Sequence, residues 1–339
     1  MNDTINQNIA LDIKNLCVEF RTRDSVVKAV NGVDLQIPRG HALGLVGETG
    51  AGKTTTGLAV LGLIPSPPGV VTDGEILFNG ENLLKKSNKY LRTIRGKHIS
   101  MIFQDPMTSL NPVLRVNEQI AEVIRAHDRS LKKHAALEKA EEMLELVGIP
   151  KERGSEYPHQ FSGGMKQRVV IAIALACQPD VLIADEPTTA LDVTIQAQVL
   201  EMMKELRDRY GTSTLMITHD LGIVAELCDE VSVIYAGRIV EHGTLEEVFD
   251  RTLHPYTTGL FGSLPNMEDR SARLKPIKGL MPDPSNLPEG CAFCPRCEHV
   301  MECCIKERPT RTWVSDTHFV ECHLLNRAKL NGKEASVHG

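Results

Sequence analysis

A glycine-rich segment with a lysine is the first place where residue types and spacing could do chemistry. Residues 47–54 fit the pattern G-x-x-x-x-G-K-[ST], follow an apolar strand-like segment and open a helical one. Glycines let backbone N–H groups wrap a polyphosphate, and the following helix directs its positive end at it. Lys53 would add a point charge at the outer phosphates, and Thr54 a hydroxyl for Mg²⁺. The segment predicts a nucleoside triphosphate site, with candidate residues Gly47, Glu48, Thr49, Gly50, Ala51, Gly52, Lys53, Thr54 and Thr55.

Two adjacent acids end another apolar segment. Residues 181–184 read Val-Leu-Ile-Ala, which predicts a buried strand, and Asp185 and Glu186 follow directly. Such a strand would deliver Asp185 to the carboxyl edge of a sheet, where Mg²⁺ lies beside the phosphates. Glu186 could orient and polarise the attacking water. His219 ends a further strand-like segment, from which it could donate a hydrogen bond to the terminal phosphate.

Strands alternate with helices around these candidate residues. Residues 9–46 are predicted to be rich in strands, with further strands at 181–184, 213–218 and 231–235. Helices are predicted at 54–64, 115–147, 165–177 and 195–209. This order implies an α/β fold with a mostly parallel sheet. After about residue 250 prolines recur and periodicity fades, so we expect an extended appendage there.

The composition is that of a soluble globular protein, with 42% apolar residues, 24% charged residues and a formal net charge of -6. This charge would not neutralise nucleic-acid phosphates, so no nucleic-acid partner is expected. The longest unbroken apolar run, residues 169–177, is far shorter than the roughly 20 residues that span a bilayer. With no signal-peptide pattern at the start, we expect a cytosolic protein that can still dock on a membrane protein. Nine cysteines in such a chain argue against a disulfide framework.

A short glycine-containing motif identifies a family. Residues 161–167, Phe-Ser-Gly-Gly-Met-Lys-Gln, resemble the LSGGQ signature of ABC ATPases, with Phe161 and Met165 in place of Leu and Gln. Other family motifs are matched by Gln104 (Q-loop), residues 190–192 (D-loop) and His219 (switch histidine). The resemblance covers roughly residues 10–250. It implies a P-loop NTPase core of the ABC ATPase type, in which a mixed sheet packs with helices and a helical subdomain is present.

In that family a second subunit completes the nucleotide site. Ser162 is a natural helix N-cap, and Gly163 and Gly164 expose backbone N–H groups, so the following helix offers a second anion site. The resemblance implies that Ser162, Gly163, Gly164 and Gln167 receive the ATP held by the opposite, head-to-tail subunit.

Two further assignments come from the resemblance. Gln104 would take part in catalysis and hold Mg²⁺ together with Thr54 and Asp185. Phe20 would stack on the adenine, with ordinary core packing as the alternative. The implied cofactors are ATP and Mg²⁺.

The C-terminal part narrows the family. Residues 105–112, residues 254–260 and the cysteines beyond residue 289 resemble the ATPase subunits of dipeptide and oligopeptide importers, several of which bind a [4Fe-4S] cluster in a four-cysteine extension. The resemblance maps the cluster ligands onto Cys291, Cys297, Cys304 and Cys322. The extra Cys294 and Cys303 leave the ligand set open, and zinc or no metal are the alternatives.

These observations predict an ATP-binding and hydrolysing subunit that energises an importer of di- or oligopeptides at the cytoplasmic face of the cell membrane. The alternatives are an importer of nickel or another small solute, a soluble ABC ATPase acting on DNA or ribosomes, and a regulator or iron–sulfur sensor. The implied partners are a second ABC ATPase subunit (identical or paralogous), two transmembrane permease subunits and, indirectly, an extracellular or periplasmic solute-binding protein. The predicted domains are residues 9–250 (ATPase domain), 105–160 within it (helical subdomain), 251–327 (cysteine extension) and 328–339 (disordered tail).

Overall fold

A four-stranded antiparallel sheet opens the computed structural model, which describes residues 8–105, 109–189, 191–263 and 276–325. Its strands are β1 (Ile9–Arg21), β2 (Val26–Pro38), β4 (Gly69–Phe78) and β5 (Glu81–Asn82), in the order β2-β1-β4-β5. The two long strands β1 and β2 confirm the strand-rich N-terminal region expected from the sequence.

An eight-stranded mixed sheet forms the centre. Its strands are β3 (Ala42–Val46), β6 (Ile99–Ile102), β7 (Val181–Asp185), β8 (Ser213–Thr218), β9 (Glu230–Tyr235), β10 (Arg238–Thr244), β11 (Thr312–Trp313) and β12 (Phe319–Val320). They lie in the order β11-β12-β10-β9-β3-β8-β7-β6. The strands from β9 to β6 are parallel, whereas β10, β11 and β12 pair antiparallel. The predicted α/β fold is confirmed.

The central strands β3, β6, β7 and β8 are buried along their whole length because both faces of the sheet are covered. In β3, Ala42 and Val46 belong to one buried apolar cluster, whereas Leu43 and Leu45 belong to a second one. A strand buried on both sides reads as a continuous hydrophobic run. This packing fixes the carboxyl ends of β3, β7 and β8, where the candidate site residues lie.

Helix bounds differ from the predicted ones at the caps. The α-helices are α1 (Lys53–Val60), α2 (Asn88–Ile94), α3 (Val116–His127), α4 (Lys133–Leu146), α5 (Gly163–Leu175), α6 (Val193–Tyr210), α7 (Leu221–Leu227), α8 (Leu245–Asp250), α9 (Pro255–Gly262) and α10 (Glu302–Lys306). The helix predicted at 54–64 ends at Val60, and Gly62 comes shortly after it with a φ of 60°. The helix predicted at 165–177 begins at Gly163, because the Ser162 hydroxyl accepts a hydrogen bond from the Met165 N–H.

The C-terminal region is irregular over most of its described length, as expected, but it also joins the large sheet. β12 pairs with β10 through Val320 opposite Glu241 and Phe319 opposite His242. The predicted tail, residues 328–339, lies outside the described residues. Within the described parts of the chain, no helix has the length and apolar character needed to cross a membrane.

Candidate nucleotide-binding and hydrolysis site

The phosphate loop connects β3 to α1 at the carboxyl edge of the large sheet. Lys53 is 6% exposed, and its ammonium donates to the carbonyl oxygens of Gly47 at 2.6 Å and Glu48 at 3.0 Å. Burial lowers the pKa of Lys53, and the carboxylates of Glu186, Asp185 and Glu48 offset this only in part. The loop therefore holds a desolvated cation at the start of α1.

Glycines are required in this loop for two physical reasons. Gly50 and Gly52 have φ angles of 84° and 104°, which L side chains rarely adopt. At Gly47, an added Cβ would lie 2.2 Å from the carbonyl oxygen of Ile234 in β9, and at Gly52 it would lie 2.4 Å from that of Ala29 in β2. The same glycines leave α1 with a Gly52 N-cap and no side-chain capping bond, so its first N–H groups stay available to an anion.

Asp185 lies at the end of β7 and is 2% exposed. Burial raises its pKa, while a hydrogen bond from the Thr54 side chain and the charge of Lys53 lower it in part. Its Oδ1 atom is buried without a hydrogen-bond partner among the described residues. A buried, unpaired carboxylate oxygen next to a threonine hydroxyl is a donor set that suits Mg²⁺.

Glu186 is the centre of a hydrogen-bond network and has a positive φ of 48°. Its Oε1 atom lies 2.9 Å from Nδ1 of His219, and its Oε2 atom accepts from Thr189 Oγ1 at 3.0 Å and from Gln104 Nε2 at 3.2 Å. Burial works against ionisation, but the bonds from His219 and Thr189 prevail and lower the pKa of Glu186. Two distant residues, Gln104 and His219, and the nearby Thr189 thus hold one ionised carboxylate beside the phosphate loop. The sequence indicated Glu186, His219 and Gln104 individually, whereas Thr189 carried no signal.

The signature residues divide into two groups. Ser162 and Gly163 are exposed at the start of α5, and a Cβ at Gly163 would meet nothing within 4 Å. Gly164 instead packs against α6, because its Cβ would lie 2.4 Å from Ile195 Cγ2. Gln167 is 0% exposed, so the structure does not bring its side chain to the surface formed by Ser162 and Gly163.

Two other residues predicted from the sequence, Phe20 and Asp192, lie in well-defined places in the structure. Phe20 lies in β1 and is partly buried. It packs against a buried apolar cluster that contains residues of both sheets, and a Cβ added at Gly69 would lie 3.1 Å from its ring. Asp192 of the predicted D-loop caps α6 by accepting a hydrogen bond from the N–H of Ile195 at 2.9 Å. Ala190 of the same motif lies outside the described residues.

The C-terminal region reaches the phosphate loop at Glu48. The Glu48 N–H donates to the Tyr256 hydroxyl at 3.0 Å, and Arg296 forms a salt bridge with the Glu48 carboxylate at 2.9 Å. Sequence reasoning missed both contacts, since more than 200 residues separate the partners and no local pattern marks them.

Five of the cysteines line one small cavity of the C-terminal region. Among its lining residues are Cys291, Cys294, Cys297, Cys304 and Cys322, together with His254, His299 and His323. Among the described residues, however, no three His, Cys, Asp or Glu side chains lie close enough to hold a single metal ion. The structure thus groups the four predicted ligands and Cys294 without forming a site for one ion.

Comparisons with known proteins agree with this geometry. Residues 30–189 match the family model of the ABC transporter, and residues 240–304 match that of the oligopeptide/dipeptide transporter, C-terminal region. The oligopeptide transport ATP-binding protein OppD of Bacillus subtilis is 50% identical over 93% of this chain and 89% of its own length. The dipeptide transport ATP-binding protein DppD of the same organism is 50% identical over 94% and 95%.

A solved structure resembles the fold. A dimeric ATP-binding cassette in a post-hydrolysis state bound to ADP and Pi superposes with a TM-score of 0.63 at 25% identity, over 69% of this chain and 98% of that one. The fold and the site define an ABC ATPase, an enzyme that binds and hydrolyses ATP. The chain belongs to the family of ATP-binding proteins of oligopeptide and dipeptide ABC transporters.

Proposed function

We propose that this chain hydrolyses ATP to drive the import of di- or oligopeptides through membrane partners. The observation that carries the proposal is the near full-length similarity to transport ATP-binding proteins for peptides, which includes the C-terminal region. The intact Glu186 network supports an active ATPase as opposed to a regulator that only binds ATP.

Each residue of the site has a separate role in ATP hydrolysis. Lys53 and the N–H groups at the start of α1 bind the phosphates. Glu186 orients the attacking water and accepts its proton, a role that suits a carboxylate kept ionised by its neighbours. His219 holds the Glu186 carboxylate and donates a hydrogen bond toward the terminal phosphate. Gln104 donates a hydrogen bond to the same carboxylate from its own loop. Thr54, Asp185 and Gln104 hold Mg²⁺, which when bound neutralises phosphate charge.

A second subunit completes the site in this proposal. The exposed start of α5, with Ser162 and Gly163, offers N–H groups to an ATP held by the facing subunit. Gly164 supports this role indirectly by allowing α5 to pack on α6. Gln167 is also proposed to contact that ATP; its side chain is buried, and its Oε1 and Nε2 atoms have no hydrogen-bond partner among the described residues. Phe20, at the end of β1, is proposed to contact the adenine.

The same proposal covers organisation and partners. Residues 9–250 form the ATPase domain, 105–160 its helical subdomain and 251–327 the cysteine extension. The subunit works at the cytoplasmic face of the membrane with a second ABC ATPase subunit and two permease subunits. A solute-binding protein outside the cell delivers the cargo.

Reconstitution in vesicles tests this function. The chain, its partner ATPase and the two permeases are expected to accumulate a labelled tripeptide inside vesicles only when ATP and the solute-binding protein are present. The complex carrying Glu186→Gln is the matched control and should accumulate none. Uptake of nickel with no uptake of peptides would contradict the proposed cargo.

We also propose that the cysteine cavity holds a [4Fe-4S] cluster on Cys291, Cys297, Cys304 and Cys322. The four thiols surround one cavity but do not converge as they would on a single ion. Four thiolates are the usual shell of such a cluster, and they also suit zinc, which is the alternative. Its role would be to cross-link an extension with little apolar core.

Metal analysis distinguishes the ligands. Protein prepared without oxygen is expected to contain about four iron and four sulfide per chain, as a [4Fe-4S] cluster requires. Cys304→Ser should lose most of the iron, because Cys304 is buried and lines the cavity. Cys303→Ser, at the neighbouring residue that does not line it, should keep its iron. Stoichiometric zinc in the native protein would contradict the cluster.

A further inference from the structure

Arg296 is a buried cation in the turn between two cavity cysteines. It ends the 3₁₀ turn Cys294–Arg296 and immediately precedes Cys297, and its side chain is 6% exposed. One guanidinium nitrogen, Nη1, contacts both carboxylate oxygens of Glu48, at 3.1 and 2.9 Å. Residues 291–297, called the cysteine segment below, therefore place a positive charge next to the phosphate loop.

The rest of the guanidinium is fixed by the C-terminal region itself. Nε donates to the carbonyl oxygen of Lys278 at 3.0 Å, and Nη2 to that of Ile277 at 3.5 Å. Nη1 also lies 3.4 Å from the Tyr235 hydroxyl at the end of β9. Because these contacts orient the guanidinium, it can hold Glu48 in place and does not simply move with it.

Glu48 in turn contacts Lys53, the buried cation of the phosphate loop. Its carbonyl oxygen accepts from Lys53, and its N–H is held by Tyr256. Its carboxylate is close enough to act on the charge of Lys53. An unpaired carboxylate at this position would repel the phosphates of ATP, and Arg296 neutralises it.

We propose that Arg296 is a positioning residue for the ATP site, which couples the cysteine segment to ATP affinity by holding and neutralising Glu48. The inference rests on the proposed function of the loop. It means that a rearrangement of the cysteine segment changes how tightly ATP binds, without any cysteine touching the nucleotide.

Binding of AMP-PNP with Mg²⁺ to the full chain, measured by calorimetry, tests the proposal. Arg296→Met is expected to weaken binding about tenfold, a change of about 1.4 kcal/mol. Arg296→Lys keeps the charge but loses the contacts that orient the guanidinium, so its affinity should fall between those of the wild type and Arg296→Met. The double variant Arg296→Met with Glu48→Gln removes the unpaired carboxylate and should recover most of the lost affinity.

Arg311→Met is the matched control. Arg311 also ties the C-terminal region to the core, through Asp34 of β2 at 2.9 Å, but away from the phosphate loop. It should lower thermal stability without weakening AMP-PNP binding. In the assembled transporter, Arg296→Met should raise the KM for ATP about tenfold and change kcat less than twofold, which a general loss of folding would not do.

The outcomes separate the inference from the proposed function. If the double variant binds no better than Arg296→Met, or if Arg296→Met binds like the wild type, the inference is wrong. If Arg296→Met does not fold, Arg296→Gln takes its place: it should also bind about tenfold more weakly than the wild type, and binding as tight as the wild type would overturn the inference. A wild type that binds no AMP-PNP would instead refute the proposed function.

Discussion

Replacing Glu186 by Gln is expected to lower the rate of ATP hydrolysis by at least about 100-fold, the lower range for losing a general base. The amide keeps the shape of the side chain and can still bond to Thr189, but it cannot accept a proton from water. ATP binding should persist, because Lys53 and the start of α1 are untouched. Phosphate release measures the first effect, and calorimetry with ATP the second.

A second glutamate provides the comparison. Glu201, exposed on α6, should tolerate Glu201→Gln without loss of hydrolysis, since it does not belong to the hydrogen-bond network around Glu186. The Glu186→Gln protein, mixed with its partner subunit and ATP, should also accumulate as a stable pair. Hydrolysis at the normal rate would remove Glu186 from the mechanism.

Replacing Lys53 by Met is expected to weaken ATP binding about 100-fold, or nearly 3 kcal/mol, the upper range for a hydrogen bond to a charged group. Methionine fills the buried position but supplies neither the charge nor the donors that now bind the carbonyl oxygens of Gly47 and Glu48. Calorimetry with ATP and Mg²⁺ gives the affinity, and circular dichroism verifies the fold.

Lys85→Met is the control for a lost lysine. Lys85 is 75% exposed in its salt bridge with Glu75, so its removal should leave ATP affinity as it is. If Lys53→Met bound ATP as tightly as Lys85→Met, the phosphate-binding role of Lys53 would be wrong.

The elements predicted best from the sequence are those that depend on the types of a few consecutive residues. The strands β3 and β7 are buried on both faces and consist mostly of apolar residues, and the loop after β3 carries its chemistry in eight consecutive residues. Helix ends are predicted less well. The start of α5 depends on the Ser162 cap, and α1 ends two residues before Gly62, whose positive φ takes the backbone out of the helical conformation.

Contacts between distant segments could not be predicted in the same way. The salt bridge between Glu48 and Arg296 spans 248 residues, and β12 is only two residues long, too short for any periodicity. The burial of Gln167 depends on how α5 packs against its neighbours. In each case the deciding interaction is set by the folded chain and not by neighbours in sequence.

The pairing of β12 with β10 has a consequence for any shortened form of this protein. A chain cut after residue 250 would leave the backbone of β10 as an open edge, ready to pair with another molecule. It would also strip the fully buried Glu241 carboxylate of its donors, the N–H groups of Leu253 and His254 and the His318 ring. We therefore expect the ATPase domain to aggregate when it is produced without the C-terminal region.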